Sequence, residues 1–356
     1  MVNKFRIKFS GLLKSPVSWA RVNREFLAAL SKKKQAHLTI QPCRGFLWSE
    51  DFKLPSELEK ITGRREKEDK HDIQLAFAYP PAIASYGFKK TLWNFSVYEA
   101  SRLPKNWAEP LNRYCQKIIV PSHYNKRVYI KSGVREDKVI VIPYGYNPKF
   151  YRPETCGNNR KTEIITVATP HYRKGLDLLE NCAGLLKKYP VNWRVHSPYE
   201  PGPQPEYWED GTISKRLQKL GFKVTVGPLS EEEISRLYRK ADLAVQPSRS
   251  EGFGLAILEA MASATPVVTS GYSGPLEFSG PGMFLVGGEI QPAKNCQYGL
   301  QNRRAKIFEP DRQQLKSIIE TLLQKPEKLQ HAGVQAHRTV KHLTWENAAN
   351  LFLKKL

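Results

Sequence analysis

Two glutamates, Glu251 and Glu259, stand eight positions apart in the segment 247–273, PSRSEGFGLAILEAMASATPVVTSGYS, with a Gly-Phe-Gly turn between them. Gly252 and Gly254 let the backbone turn sharply and approach a ligand closely. The run that follows, Leu255 to Ala262 (LAILEAMA), is a strong helix former. A glycine turn that feeds the first turn of a helix is a ready anion site, because its N–H groups and the helix dipole both favour a phosphate. Glu251 stands just before that turn and Glu259 about a turn and a half into the helix. The two carboxylates can therefore face one ligand at different points. An ordinary strand–turn–helix unit with two surface glutamates would carry the same residue types.

Such a unit needs a scaffold, and the rest of the chain supplies one. Strand patterns alternate with helical ones, which argues for parallel sheets wrapped by helices. Phe5–Phe9 alternates like a short strand, and Trp19, Val22, Phe26 and Leu30 then recur at helical spacing. Further strands are predicted at 37–40, 73–78, 91–97, 118–121 and 139–142, the last closing at Pro143-Tyr144-Gly145. The segment 147–159, with its prolines and Cys-Gly-Asn-Asn, reads as an interdomain linker. A fresh strand follows at 163–168, then the Lys174-Gly175 turn and a helix through Leu186. Strands at 224–226, 243–246 and 266–269 complete the second unit, and 281–306, lacking periodicity, is expected to be a long loop. No internal repeat of solenoid length is visible. The two halves read as two separate doubly wound domains.

At 356 residues and 40% hydrophobic composition, the chain suits two domains, each with its own core. No stretch approaches the roughly twenty apolar residues that span a bilayer, and the basic N-terminus MVNKFRIKFSGLL lacks the apolar core of a signal peptide. The five cysteines (Cys43, Cys115, Cys156, Cys182, Cys296) are scattered, and none forms a Cys-x-x-Cys pair. Neither a zinc site nor a disulfide framework is indicated, and a cytoplasmic location is expected. The eight histidines show no metal-ligand spacing. The formal net charge is +22, with 28 basic and 13 acidic residues up to position 150 against 28 and 21 beyond it. Residues 1–34 alone hold nine Lys or Arg and one acid, Glu25. A surface of this kind steers polyanions: an anionic membrane, a charged glycan or nucleic acid.

The 247–273 block resembles the donor-site signature of retaining glycosyltransferases of family 4, the group 1 glycosyltransferases, which carry two glutamates separated by seven residues. The resemblance extends upstream through Gly227-Pro228-Leu229-Ser230-Glu231-Glu232-Glu233-Ile234 and Leu237-Tyr238-Arg239-Lys240-Ala241-Asp242, and downstream through Pro266-Val267-Val268. It departs at Ala264, where the family usually places a glycine before Thr-Pro. In the N-terminal half, Asn94–Pro104 (NFSVYEASRLP) with Trp107 is similar to a segment of one branch of these enzymes. Val120-Pro121-Ser122 and Ile142–Gly145 fall where the family places strand ends. The resemblance covers most of the chain; it is strongest over about 160–275 and thin over 1–90.

This resemblance implies an α/β fold of GT-B type: two Rossmann-like doubly wound domains facing a central cleft. Residues 1–150 would bind the acceptor, 151–340 the nucleotide-sugar, and 341–356 would form a helix returning to the N-terminal domain. It implies a retaining transfer of a sugar from a nucleotide-sugar to an acceptor hydroxyl. No cofactor is implied, because side-chain cations and backbone N–H groups, rather than a metal, hold the diphosphate; the chain has no Asp-x-Asp triplet. Lys174 matches the family's phosphate lysine. Many relatives carry an arginine about six residues earlier, where this chain has Ala168 and Thr169, so the second cation is expected to be Arg173 or to be missing. Glu259 is expected at the ribose, Glu251 at the transferred hexose, and Gly252, Phe253, Gly254 and Leu255 at the phosphate or the sugar. Pro228 and Leu229 would meet the nucleobase, and Gly11 would approach the diphosphate from the other domain. Glu99, in the opposing half, would act as an acceptor-binding residue or auxiliary base. The expected acceptor is a glycan or lipid-linked molecule, anionic, reached at the cytoplasmic face of a membrane by peripheral association. The alternatives are a sugar transferase acting on nucleic acid and a catalytically silent protein that binds nucleotide-sugars.

Overall fold

The computed structural model describes residues 4–45, 47–62, 71–86, 91–154, 161–199, 212–293 and 302–356. They fall into two compact units. One comprises Met1–Tyr98, Arg102–Gly145 and Leu343–Leu356, the other Glu99–Ser101 and Tyr146–His342.

The first unit is built on a six-stranded parallel sheet. In chain order its strands are β1 (Phe5–Gly11), β2 (Ala36–Pro42), β3 (Ile73–Ala76), β4 (Leu92–Phe95), β5 (Lys117–Val120) and β6 (Val139–Val141). They lie in the order β2-β1-β3-β4-β5-β6. Alternation in FRIKF buries Ile7 and Phe9, and the helical spacing of Val22, Phe26, Leu27 and Leu30 buries one face of the helix Ser18–Ser31. The terminal helix Trp345–Leu353 packs on that helix, its N-terminus capped by the Thr344 hydroxyl, which accepts from Asn347 N–H at 3.2 Å. Its Phe352 is fully buried, edge-on to Phe26 at 5.5 Å and to Trp93 at 5.6 Å. Close approach makes this docking specific. A side chain at Gly145 would place its Cβ 2.2 Å from the Thr344–Trp345 backbone.

The second unit has its own parallel sheet: β7 (Thr162–Val167), β8 (Val191–Ser197), β9 (Lys223–Val226), β10 (Leu243–Gln246), β11 (Val267–Ser270) and β12 (Met283–Val286). Their order is β12-β11-β10-β7-β8-β9. Its core gathers Trp193, Leu178, Leu179, Val245 and Val268 with Leu315 and Ile319 of the helix Arg312–Leu323. The loop expected over 281–306 is a correction. Residues 283–286 are β12, and β13 (Gly288–Pro292) pairs antiparallel with β14 (Lys306–Pro310), while 294–301 lie outside the described residues. Alternation fails in MFLV because β12 is an edge strand of a covered parallel sheet, and in GEIQP because β13 belongs to a two-stranded ribbon. Strand β8 (VNWRVHS) was not among the predicted strands, although it alternates apolar and polar residues as FRIKF does. Of the expected linker 147–159, residues up to 154 are described, and 155–160 lie outside. Arg239 holds this stretch by hydrogen bonds to the Phe150 carbonyl at 2.7 Å and the Glu154 carboxylate at 2.6 Å.

Candidate donor site

The site forms where β7 and β10 end. After β10 the chain passes through Pro247–Gly254 into the helix Leu255–Ala262, entering from Gly254 in the left-handed region at φ 99°. After β7 it turns at Tyr172–Lys174, a single 3-10 turn closed by Gly175 at φ 68°. Glycine is required at 175 twice over, since a Cβ there would also meet the Pro247 carbonyl at 2.3 Å. That contact brings the two loops together.

Both expected cations reach Glu251. Lys174 Nζ lies 2.6 Å from Glu251 Oε1, and Arg173 Nη1 lies 2.9 Å from Oε2. Arg173 Nη1 also donates to the Ser250 carbonyl at 2.8 Å, and the Ser248 hydroxyl donates to Glu251 Oε1 at 2.7 Å. Burial alone would raise the Glu251 pKa, but Lys174 and Arg173, with hydrogen bonds from Lys174 and Ser248, outweigh it and hold the carboxyl at about 2. Burial pushes Lys174 down while Glu251 pulls it up.

Glu99 needs a correction of place. Expected in the half opposing Lys174, it belongs with Ser101 to the second unit. Its Oε1 lies 3.5 Å from Arg173 Nη2, and its carbonyl accepts from the Ser250 hydroxyl. Ser101 N–H donates to the Lys306 carbonyl of β14 at 3.1 Å, and Lys306 N–H donates back to the Ser101 hydroxyl at 2.9 Å. Sequence distance hid this: the three residues leave one sheet and join the edge of another ribbon.

The remaining expected residues fall as follows. Gly252 and Phe253 are buried, with the Phe253 ring 5.1 Å from that of Phe278. Leu255 begins the helix at half-burial, and Glu259 is buried on it, 4% exposed. Pro228 is exposed and Leu229 half-buried in the loop from β9 to the helix Glu231–Arg239, which begins with a Ser230–Glu233 capping box. Gly11 ends β1 in the first unit, its carbonyl accepting from Cys43 N–H at 2.8 Å.

Four participants escaped the sequence reading. His171 caps the 172–174 turn, its Nδ1 accepting Arg173 N–H at 3.1 Å. Burial first, then the Arg173 and Lys174 charges, push it down to about 3, so the ring is neutral and carries its proton on Nε2. Ser248 and Ser273 both bond Glu251, the latter accepting its N–H at 2.9 Å. Ser273 is held at φ 66°, ψ −144°, a conformation costing a non-glycine residue about 1–3 kcal/mol. Gly274 N–H returns to the Glu251 carbonyl at 2.9 Å, and a Cβ at Gly274 would meet the Gly252 carbonyl carbon at 2.4 Å. The fourth, Arg249, braces both loops. Of the four, Ser248 and Arg249 stand within three residues of Glu251 and His171 within three of Lys174, whereas Ser273 is 22 residues from Glu251. Among the described residues no three His, Cys, Asp or Glu side chains gather in a metal-ligating group, and no helix is long and apolar enough to cross a membrane.

Taken together, the architecture is a GT-B fold. The structure aligns with Anabaena Alr3699/HepE in complex with UDP and glucose at a TM-score of 0.70, with 16% identity over 99% of both chains. Residues 149–295 match the model of the family Glycosyl transferases group 1. The MMP alpha-(1->4)-mannosyltransferase of Mycolicibacterium hassiacum is 29% identical over 224 residues, 61% of this chain and 47% of that protein. The mannosylfructose-phosphate synthase of Agrobacterium fabrum is 27% identical over 177 residues, 46% of this chain and 39% of that protein. The chain thus spans half or less of the length of these curated relatives.

Proposed function

We propose that this protein is a metal-independent, retaining glycosyltransferase that moves a sugar from a nucleotide-sugar to a hydroxyl of an anionic acceptor. The observation that carries the reading is the convergence of Lys174 and Arg173 on Glu251, three residues before the Gly254 that opens the helix Leu255–Ala262. Two cations and a helix N-terminus suit a diphosphate, whose negative charge grows as the glycosidic bond breaks. In this reading Lys174, Arg173 and the N–H groups at Gly254 and Leu255 hold the diphosphate in place of a metal. Glu259 meets the ribose, and Glu251 the transferred hexose. The bond from the anomeric carbon to the phosphate oxygen breaks, a bond to the acceptor oxygen forms on the same face, and the acceptor proton passes to the leaving phosphate. Glu99 acts through Arg173, to which it is paired. HepE, solved with UDP and glucose, supports a nucleotide-sugar donor. An anionic acceptor is supported by the +22 net charge and by a relative named for a phosphorylated product. Peripheral binding to an anionic membrane follows from the same charge, at about 1 kcal/mol per basic residue near the lipid.

The test is nucleotide release from UDP-, GDP-, ADP- and dTDP-sugars with a chelator present. Slow release from one donor supports the reading and identifies base and sugar. No release together with no nucleotide binding refutes it, and release only on adding a divalent ion refutes metal independence.

A further inference from the structure

Arg249 stands two residues before Glu251 and is 1% exposed. Its guanidinium uses every donor it has. Nε donates to Glu309 Oε2 at 2.6 Å, and Nη2 to Glu309 Oε1 and Asp177 Oδ2, each at 2.9 Å. Nη1 donates to Asp177 Oδ1 and to the Tyr172 carbonyl, each at 2.8 Å. Its Cζ sits 3.9 Å from the centre of the Tyr172 ring. The main chain adds two bonds: Arg249 N–H donates to the Arg173 carbonyl at 2.7 Å, and the Arg249 carbonyl accepts from Phe308 N–H at 3.0 Å. One residue therefore ties together the 172–174 turn, the Ser248–Glu251 stretch and β14.

A buried ion cluster is weak evidence of stability, because apolar residues of similar volume often serve as well. What a guanidinium fork supplies, and an apolar side chain does not, is direction. Here the fork directs the Tyr172 carbonyl while the Arg249 main-chain N–H holds the Arg173 carbonyl, and together they set where the Arg173 and Lys174 side chains leave the turn. We propose that Arg249 is the positioning residue of this site, locking the 172–174 turn against Ser248–Glu251 so that both cations reach one anion. It acts through the turn and touches no ligand. The identity of that anion as a diphosphate rests on the donor-site reading above.

Arg239 provides a matched control. It lies in the same unit, is 7% exposed, and makes four hydrogen bonds, to Glu154, Phe150, Ser235 and Glu232, none within the site. Lysine keeps the charge at either position and loses the fork. The experiment compares Arg249→Lys with Arg239→Lys by amide hydrogen exchange and by titration with UDP, GDP and ADP. In Arg249→Lys, exchange at 172–175 and 308 accelerates, and the nucleotide that wild type binds best is weakened about tenfold or more, the equivalent of one charged hydrogen bond. In Arg239→Lys neither changes by more than about twofold. Glu309→Gln removes one charge of the cluster and leaves the arginine in place; it shifts both readouts the same way by less, and it replaces Arg249→Lys if that variant does not fold. Equal weakening in the Arg249 and Arg239 variants, or unchanged exchange at 172–175, overturns the positioning role. Exchange that follows Arg249 in a wild-type protein that binds none of the nucleotides upholds positioning and overturns the diphosphate.

Discussion

Replacing Glu251 by glutamine asks whether this carboxylate competes with a diphosphate for Arg173 and Lys174. Both cations are committed to it, at 2.9 and 2.6 Å, and the side chain is nearly out of solvent. Against burial, which would raise it, Lys174 and Arg173 hold its pKa at about 2 from an ordinary 4.5. A shift of that size corresponds to about 3 kcal/mol in favour of the ionised, folded form. Glutamine preserves the shape but leaves two buried cations facing an amide, so the unliganded variant loses about 3 kcal/mol of stability. A diphosphate experiences the opposite effect. A carboxylate about 6 Å from a phosphate opposes it by about 3 kcal/mol at an effective dielectric constant near 20, part of which is relieved by movement in wild type. Glu251→Gln should therefore bind a nucleoside diphosphate about tenfold more tightly and recover more of its melting temperature on binding than wild type does. On the proposed role of Glu251 at the hexose, turnover of the sugar donor should fall by about a hundredfold. Calorimetric titration and melting curves with and without the nucleotide measure both effects. Equal or weaker binding by a normally folded variant refutes the competition.

Acid stability should follow the same ion pairs. The lowered Glu251 pKa contributes stability that is complete above the unfolded value near 4.5 and is lost as pH falls toward about 2. Lys174→Met removes the larger of the two charges holding it down, so the loss of stability measured between those pH values should shrink. Gly274→Ala would press a methyl group 2.4 Å from the Gly252 carbonyl carbon; melting should show a loss of about 1–3 kcal/mol, and titration a loss of nucleotide binding. Ala264 sits in the left-handed region at φ 59°. Ala264→Gly relieves about 1–2 kcal/mol of backbone strain against about 0.5–1 kcal/mol of unfolded-chain entropy, and should raise the melting temperature slightly.

The glycine turn, the helix 255–262 and the strands 243–246 and 5–9 were legible because their signals are local: glycine at a left-handed φ, apolar runs, and period-two alternation. Lys174 was legible through the pattern around it. By itself the sequence determined that two parallel sheets form and that an anion-favouring turn ends one of their strands. Tertiary structure decided which charges meet there. Glu99 is 74 positions from Arg173, yet its backbone is carried to Arg173 by hydrogen bonds to Lys306 and Ser250. Nothing in the sequence singled out Arg249. Its partners, Asp177 and Glu309, lie 72 positions before it and 60 after it. No periodicity or propensity encodes such pairs, because the energy of a charge depends on the dielectric and the partners around it, and the fold supplies both.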